Sequence, residues 1–312
     1  MKKTLFNSNL MAFTLMFAST LHAQEVGVAW AGQSGMASTV LEGVQERLAE
    51  IAPEITLDIH DALGSVDELD SVVKQFASSG KEAQIVLRSN GSVYLGENPP
   101  TIPTFIGGGN HPVELGTIQS MNTPGVMVTG VTYNIEITPV LESFMTLHPY
   151  MDSVLLLSQT NYSSSAIDWK GTKQACDELG LTCAQAFVSD RDDIIEVMQK
   201  NTGNYSAIIL GNQAAVFENA ATVIEYAPET PLFSYAEKGV KNGAAGGVIA
   251  DDRKLGRMLA DSLVDVVIGG KDVSKYPIKR DQTPKLMINM DAVDRYGLAV
   301  PASLLSIAEL LE

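Results

Sequence analysis

Short apolar runs rich in β-branched residues alternate with longer amphipathic stretches along most of the chain. The runs occupy 26–29, 55–59, 83–87, 104–106, 126–131, 154–158, 183–188, 207–210, 232–234, 247–250 and 286–289. Between many of them the apolar period lengthens from that of a strand to that of a helix. Residues 38–51 place Val40, Leu41, Val44, Leu48 and Ile51 on one helical face. Residues 190–199 do the same with Ile194, Ile195, Val197 and Met198. Ser65 and Asp190 stand where N-caps belong, and Gly80 and Gly180 where helices stop. Repeated strand–helix–strand units predict parallel sheets covered by helices on both faces. About ten such strands are many for one sheet in a chain of 312 residues. The pattern therefore predicts an α/β protein of two doubly wound lobes, joined by short strand-like connections because no low-complexity linker is present.

Doubly wound sheets bind ligands at the carboxyl ends of their strands. Those ends here carry amides, hydroxyls and aromatics, which suit a small polar ligand with an apolar part. The candidate ligand-binding residues are Trp30, Gln33, Ser34, Ser89, Asn90, Asn110, His111, Tyr133, Asn134, Gln159, Asn212, Tyr235 and Glu237. Ser34 and Asn212 are equally well explained as helix caps; recurrence at successive strand ends is what favours a cleft. Trp30, Tyr133 or Tyr235 would stack on a flat group, and Glu237 would pair with an amine.

The N-terminus changes the picture of where the protein works. Lys2 and Lys3 precede an apolar stretch, 10–18, too short to span a bilayer, and Leu21-His22-Ala23 offers a cleavage site. Residues 1–23 therefore read as a cleavable signal peptide, and with no cysteine after the apolar stretch the protein is not expected to be a lipoprotein. Removing two lysines and no acid takes the formal charge from −16 to −18. So acidic a chain repels phosphate backbones, which excludes nucleic acid as an expected partner. Cys176 and Cys183 are the two cysteines. Export allows a disulfide between them, and two buried thiols remain the alternative.

Catalytic chemistry is hard to find. No nucleophile elbow accompanies His111, and Gly107-Gly108-Gly109 lacks the residues that make a phosphate loop. Asp192-Asp193 and Asp251-Asp252 open helices, where the dipole explains them. Metal-ligand spacings are missing. The expectation is a binding protein with no catalytic residues, no metal and no cofactor, rather than an enzyme.

Ordered segments then point to a family. They are Ile-Pro-Thr-Phe-Ile-Gly-Gly-Gly-Asn-His-Pro-Val at 102–113, Pro-Gly-Val-Met-Val-Thr-Gly-Val at 124–131 and Thr-Pro-Leu-Phe-Ser at 230–234. Gly-Gly-Val through Leu-Gly-Arg at 246–257, Leu-Met-Ile-Asn-Met at 286–290 and Val-Pro-Ala-Ser-Leu-Leu at 300–305 complete the series. The mature chain resembles the ABC-transporter substrate-binding proteins whose better-understood members bind aromatic amino acids. The resemblance implies a type I periplasmic-binding-protein fold with a hinge and three crossovers, near 131–133, 234–237 and 281–285. It implies one lobe from 24–131 plus 236–282 and another from 132–235 plus 283–312. It also implies a periplasmic monomer that captures a small molecule by closing. The output is delivery to an inner-membrane permease with its ATPase, or, alternatively, signalling to a membrane sensor. Two departures stand out: His111 replaces the acid of the family's Thr-Asp-Pro turn, and Asp252 replaces the tyrosine of its Asp-Tyr pair.

Overall fold

The computed structural model describes residues 24–201 and 203–312; the signal segment expected at 1–23 lies outside them. The first lobe begins with β1 (Gln24–Ala31), α1 (Gly35–Ile51), β2 (Ile55–Leu63), α2 (Val66–Ser78), β3 (Ala83–Leu87), α3 (Ser89–Glu97), β4 (Thr104–Gly107) and β5 (Val128–Thr132). The chain then enters the second lobe as α4 (Ile137–Leu147), β6 (Ser153–Gln159), α5 (Ser163–Leu179), β7 (Thr182–Val188), α6 (Arg191–Asn201) and β8 (Ala207–Leu210). It continues there through α7 (Ala214–Phe217), α8 (Ala220–Tyr226), β9 (Leu232–Ser234), α9 (Glu237–Lys241) and β10 (Gly246–Ile249). Next, α10 (Asp252–Val267) and β11 (Lys279–Arg280) return to the first lobe. Finally β12 (Lys285–Asn289), α11 (Met290–Arg295), α12 (Ala302–Leu305) and β13 (Glu309–Leu311) finish the second.

The first sheet runs β2-β1-β3-β4-β5-β11 and the second β7-β6-β8-β9-β10-β12-β13. Pairing is parallel except between β10 and β12. Strand order reverses between β1 and β3 in one sheet and between β6 and β8 in the other. Each lobe thus has a switch point where a ligand crevice forms. Apolar clusters fill both faces of each sheet. Val28, Val40 and Leu259 lie on one face of the first and Phe76, Val86 and Ile106 on the other. In the second, Phe144, Leu156 and Phe233 oppose Leu157, Ile194 and Val223.

Local chemistry explains the boundaries. Ser65 accepts the Glu68 amide while the Glu68 carboxylate reaches back to the Gly64 amide, a reciprocal cap for α2. Asp190 accepts the amides of Asp192 and Asp193 at the start of α6. Gly180 ends α5 in the left-handed region, φ 72°. Ile51, placed by periodicity on the buried face, is exposed in the last turn of α1. Cys176 and Cys183 form a disulfide from α5 to β7 with Cα atoms 6.3 Å apart, within the usual range for such bridges.

One crossover differs from expectation. Residues 236–250 do not rejoin the first sheet: Gly246 pairs with Phe233 of β9, and β10 pairs with β12 from Gly246–Ile288 to Ile249–Lys285. The chain changes lobes at Ala250-Asp251, not at 234–237. The physical reason is the run Ala244-Ala245-Gly246-Gly247, whose small side chains let β10 lie close to Leu147, Phe233 and Met287. From there α10 packs on α1 at Gly43 and Gly256. A Cβ on Gly256 would overlap the Val40 carbonyl oxygen and reach 3.0 Å from the Gly43 Cα. Among the described residues no helix is long and apolar enough to cross a membrane.

Candidate functional site

The carboxyl ends of both sheets face one another across a cleft of about 830 Å³. From the first lobe its wall carries Gln33 and Ser34 after β1, and Arg88 and Ser89 after β3. From the second it carries Tyr162 after β6, Asn212 after β8, and Glu237 at the start of α9. Asp251, Asp252 and Lys285, on the two later crossovers, complete it. A smaller inner chamber of about 60 Å³ adjoins it and shares Met36, Tyr133, Asn212, Glu237 and Asp252 with it. Asn110, Asn134, Asp168 and Tyr235 line only this inner chamber.

Polar bonds join the lobes at the cleft. Asn110, after β4, donates its side-chain amide to Asp168 of α5 at 2.9 Å. Gln213 donates to the other Asp168 oxygen at 2.6 Å. Arg88 reaches the Tyr162 hydroxyl at 3.3 Å, and Lys170 of α5 pairs with Glu114 at 2.7 Å. Asn110 itself is fixed by the Ser89 hydroxyl, which accepts its amide, and by Asn134, which donates to its carbonyl oxygen. Arg88 holds φ 75° at the β3–α3 turn and donates to the Ala31 carbonyl. A non-glycine residue there is strained, and such strain concentrates at functional sites.

Electrostatics separate the carboxylates. Burial carries Asp168 up to about 6 against the pull of its Gln213 and Asn110 hydrogen bonds. Burial, then the neighbouring negative charges of Glu237 and Asp251, carries Asp252 up to about 7, with Lys285 acting the other way. Glu237 meets Lys241 directly and Lys285 at 3.7 Å. The phenols of Tyr133 and Tyr235 are pushed well above their ordinary range by burial. Tyr235 shares a 2.9 Å hydrogen bond with Thr172 and stacks on Phe144.

The sequence-predicted residues divide. Gln33, Ser34, Ser89, Asn110, Tyr133, Asn134, Asn212, Tyr235 and Glu237 line the two chambers. Ser34 also caps α1 by accepting the Ala37 amide. Four candidates do not line them. Trp30 is 2% exposed inside the first-lobe core, because successive β1 side chains alternate between faces. Asn90 turns back on its own loop, accepting the Gly91 amide and donating to the Ala31 carbonyl. His111 sits outside the chambers, its imidazole held below its ordinary value by burial and by Arg280. Gln159 contributes backbone, its amide donating to Gln213 and its carbonyl accepting from Ser165.

Sequence reasoning missed Arg88, Asp168, Tyr162 and Asp252 as site residues. Asp168 had a readable signal: it lies four and seven residues before Thr172 and Ala175, on the buried face of α5. Asp252 was read as a helix-start acid, yet Asp251 is the residue that caps α10, accepting the Lys254 amide.

Residues 26–311 match the family model for ABC transporter substrate binding proteins. The chain belongs to that family. A tyrosine-binding protein of Clostridioides difficile (strain R20291) is 19% identical over 255 residues, 81% of this chain and 74% of that protein. An ABC domain from Streptococcus pneumoniae, solved in complex with L-Trp, superposes with a TM-score of 0.80 at 20% identity, covering 93% of this chain and 99% of that one. A ligand-free, open substrate binding protein with adhesive properties from Clostridium difficile gives 0.79 at 16% identity, over 93% and 99%. The fold expected from the resemblance, two mostly parallel α/β lobes of type I periplasmic-binding-protein form, is the fold observed. By its description this is a family of substrate-binding proteins.

Proposed function

We propose that this chain is the periplasmic solute-binding component of an ABC import system. It captures a small polar or aromatic molecule in the inter-lobe cleft and delivers it to a membrane permease. The observation that carries the reading is the cleft itself: residues from the carboxyl ends of both sheets wall one cavity, and hydrogen bonds cross it at Asn110–Asp168 and Arg88–Tyr162. A ligand seated there touches both lobes only when they are closed. It therefore favours the closed state by its differential affinity. Gln33, Ser34, Ser89 and Asn212 supply hydrogen bonds, and Tyr133 and Tyr235 supply aromatic surface. The Cys176–Cys183 bridge supports export to an oxidising compartment.

A thermal-shift screen of the mature protein against amino acids, amines, sugars and other small metabolites tests this. A true ligand at a hundred times its Kd adds about 2.7 kcal/mol and raises Tm by about 5 °C or more. Absence of any stabilising solute, together with an inert result in native mass spectrometry of the freshly purified protein, refutes the proposal.

A further inference from the structure

The inner chamber is one-sided in charge. Asp168, Glu237 and Asp252 line it, and no lysine, arginine or histidine does. The remainder of its wall is amide and apolar: three asparagines, then Met36, Ile135, Ile137, Val248 and Ile249 beside the two tyrosines. The three acids are not equivalent. Asp168 is satisfied by two side-chain amides, and Glu237 has two lysines. Among the described residues Asp252 makes no hydrogen bond or ion pair through its carboxylate. Lys285 lies 3.4 Å from Asp251 and 3.7 Å from Glu237, so its ion pairs go to them. A half-buried carboxylate with no bonded partner is costly, and a cation of matching size offsets that cost.

The outer chamber shows the reverse. Each lysine lining it has an acidic partner: Lys238 with Glu218, Lys241 with Glu237, and Lys285 with Asp251. Arg253 turns to Glu42 and Glu46 of α1, and Arg88 is taken by the Ala31 carbonyl and the Tyr162 hydroxyl. No lining cation among the described residues is left over for a ligand carboxylate. A metal is a poor alternative occupant, since no group of three or more metal-ligating side chains occurs among the described residues.

We infer that the ligand is a small organic amine, seated with its ammonium in the inner chamber against Asp252, and that an α-carboxylate is not required. This rests on the solute-binding reading above and names the charge class of the solute. The ammonium replaces water lost by Asp252 and shares Asn110, Asn134 and Asn212 as polar neighbours. The apolar or flat body extends between Tyr133 and Tyr235 toward the outer cavity. Asp252 stands where the family resemblance has a tyrosine.

Two series of matched shape and differing charge test the inference by titration calorimetry on the mature protein at pH 8. The first is tyramine, tyrosine and 3-(4-hydroxyphenyl)propionate; the second is isoamylamine, leucine and isocaproate. The amine of at least one series is expected to bind at least tenfold more tightly than its zwitterion, and the carboxylates not at all. Asp252→Asn is expected to weaken the amine at least tenfold. A second readout needs no variant. The charged groups facing Asp252 are Glu237 of α9, Asp251 beside it, Lys285 of β12 and Asp168 across the chamber. With Asp252 titrating near 7, amine affinity falls about tenfold from pH 8 to pH 6. Tighter binding of a zwitterion or carboxylate, or an Asp252→Asn protein that binds the amine as well as wild type, overturns the inference. If only neutral solutes from the wider screen bind, the inference falls and the solute-binding proposal stands. If nothing binds, both fall.

Discussion

Asp168 gives the sharpest energetic test of the cleft. It is 8% exposed, and burial lifts its carboxyl from 3.8 to about 6 although two amides donate to it. A raised folded-state pKa means that the folded protein keeps a proton which the unfolded chain has lost between 3.8 and 6. Stability therefore falls as pH rises through that window and levels off above it. The full effect is about 3 kcal/mol. Asn has the shape of the neutral acid and cannot ionise, so Asp168→Asn removes the pH dependence. It still offers one oxygen to Asn110 or Gln213. The variant is expected to match wild type near pH 4 and to exceed it by about 3 kcal/mol at pH 7. Urea denaturation of both proteins at pH 4, 5, 6 and 7 measures the difference directly. A difference that stays constant across this range refutes the assignment. So does a variant less stable than wild type at pH 7, which would mean the ionised form is favoured by its bonds more than burial disfavours it.

Two further substitutions probe the frame that holds the cleft. Gly256→Ala places a methyl against the Val40 carbonyl and the Gly43 Cα where α10 crosses α1. Helix propensity alone would make this change stabilising by up to about 1 kcal/mol; the overlap instead makes it destabilising by about 1–3 kcal/mol. A Tm at or above wild type in a thermal melt would therefore show that the helices do not meet at this point. Replacing Cys176 and Cys183 together by Ala opens a short loop whose closure is worth about 2.5 kcal/mol. Denaturant midpoints should fall accordingly, and the unfolded, unreduced wild type should release no titratable thiol; two thiols would refute the bridge.

The two lobes were legible because burial on both faces of a parallel strand writes a continuous apolar run, and β1, β3, β6 and β8 are such runs. The edge strands β11 and β13, of two and three residues, leave no such record. Neither did the second crossover. Tyr235-Ala236-Glu237 and Ala250-Asp251-Asp252 are both polar strand exits, and pairing with β12, an element far along the chain, decides between them.

The cleft was legible as a set of strand ends but not as a charge distribution. Strand-end reading finds residues by their place in sequence, so it selected Trp30 and Gln159, whose side chains or backbones serve the core and the loops instead. It passed over Asp168, five residues into a helix, where an acid ordinarily reads as solvated surface. It also passed over Asp252, where a helix start supplied an adequate explanation. Both acids violate a local rule: Asp168 is buried and Asp252 half-buried, and neither has a lysine or arginine bonded to it. Such violations concentrate where function requires them. The cost also has a direction. The Asn110–Asp168 bond spans the lobes; on the closure proposal, separating them breaks it and rehydrates the carboxylate, so burial of these acids disfavours closing an empty cleft. On the amine proposal, a cation seated against Asp252 offsets that cost in the closed state alone. On the solute-binding proposal, the same acids bias closure toward an occupied cleft, which is the property such a protein needs if its closed form is to report an occupied site.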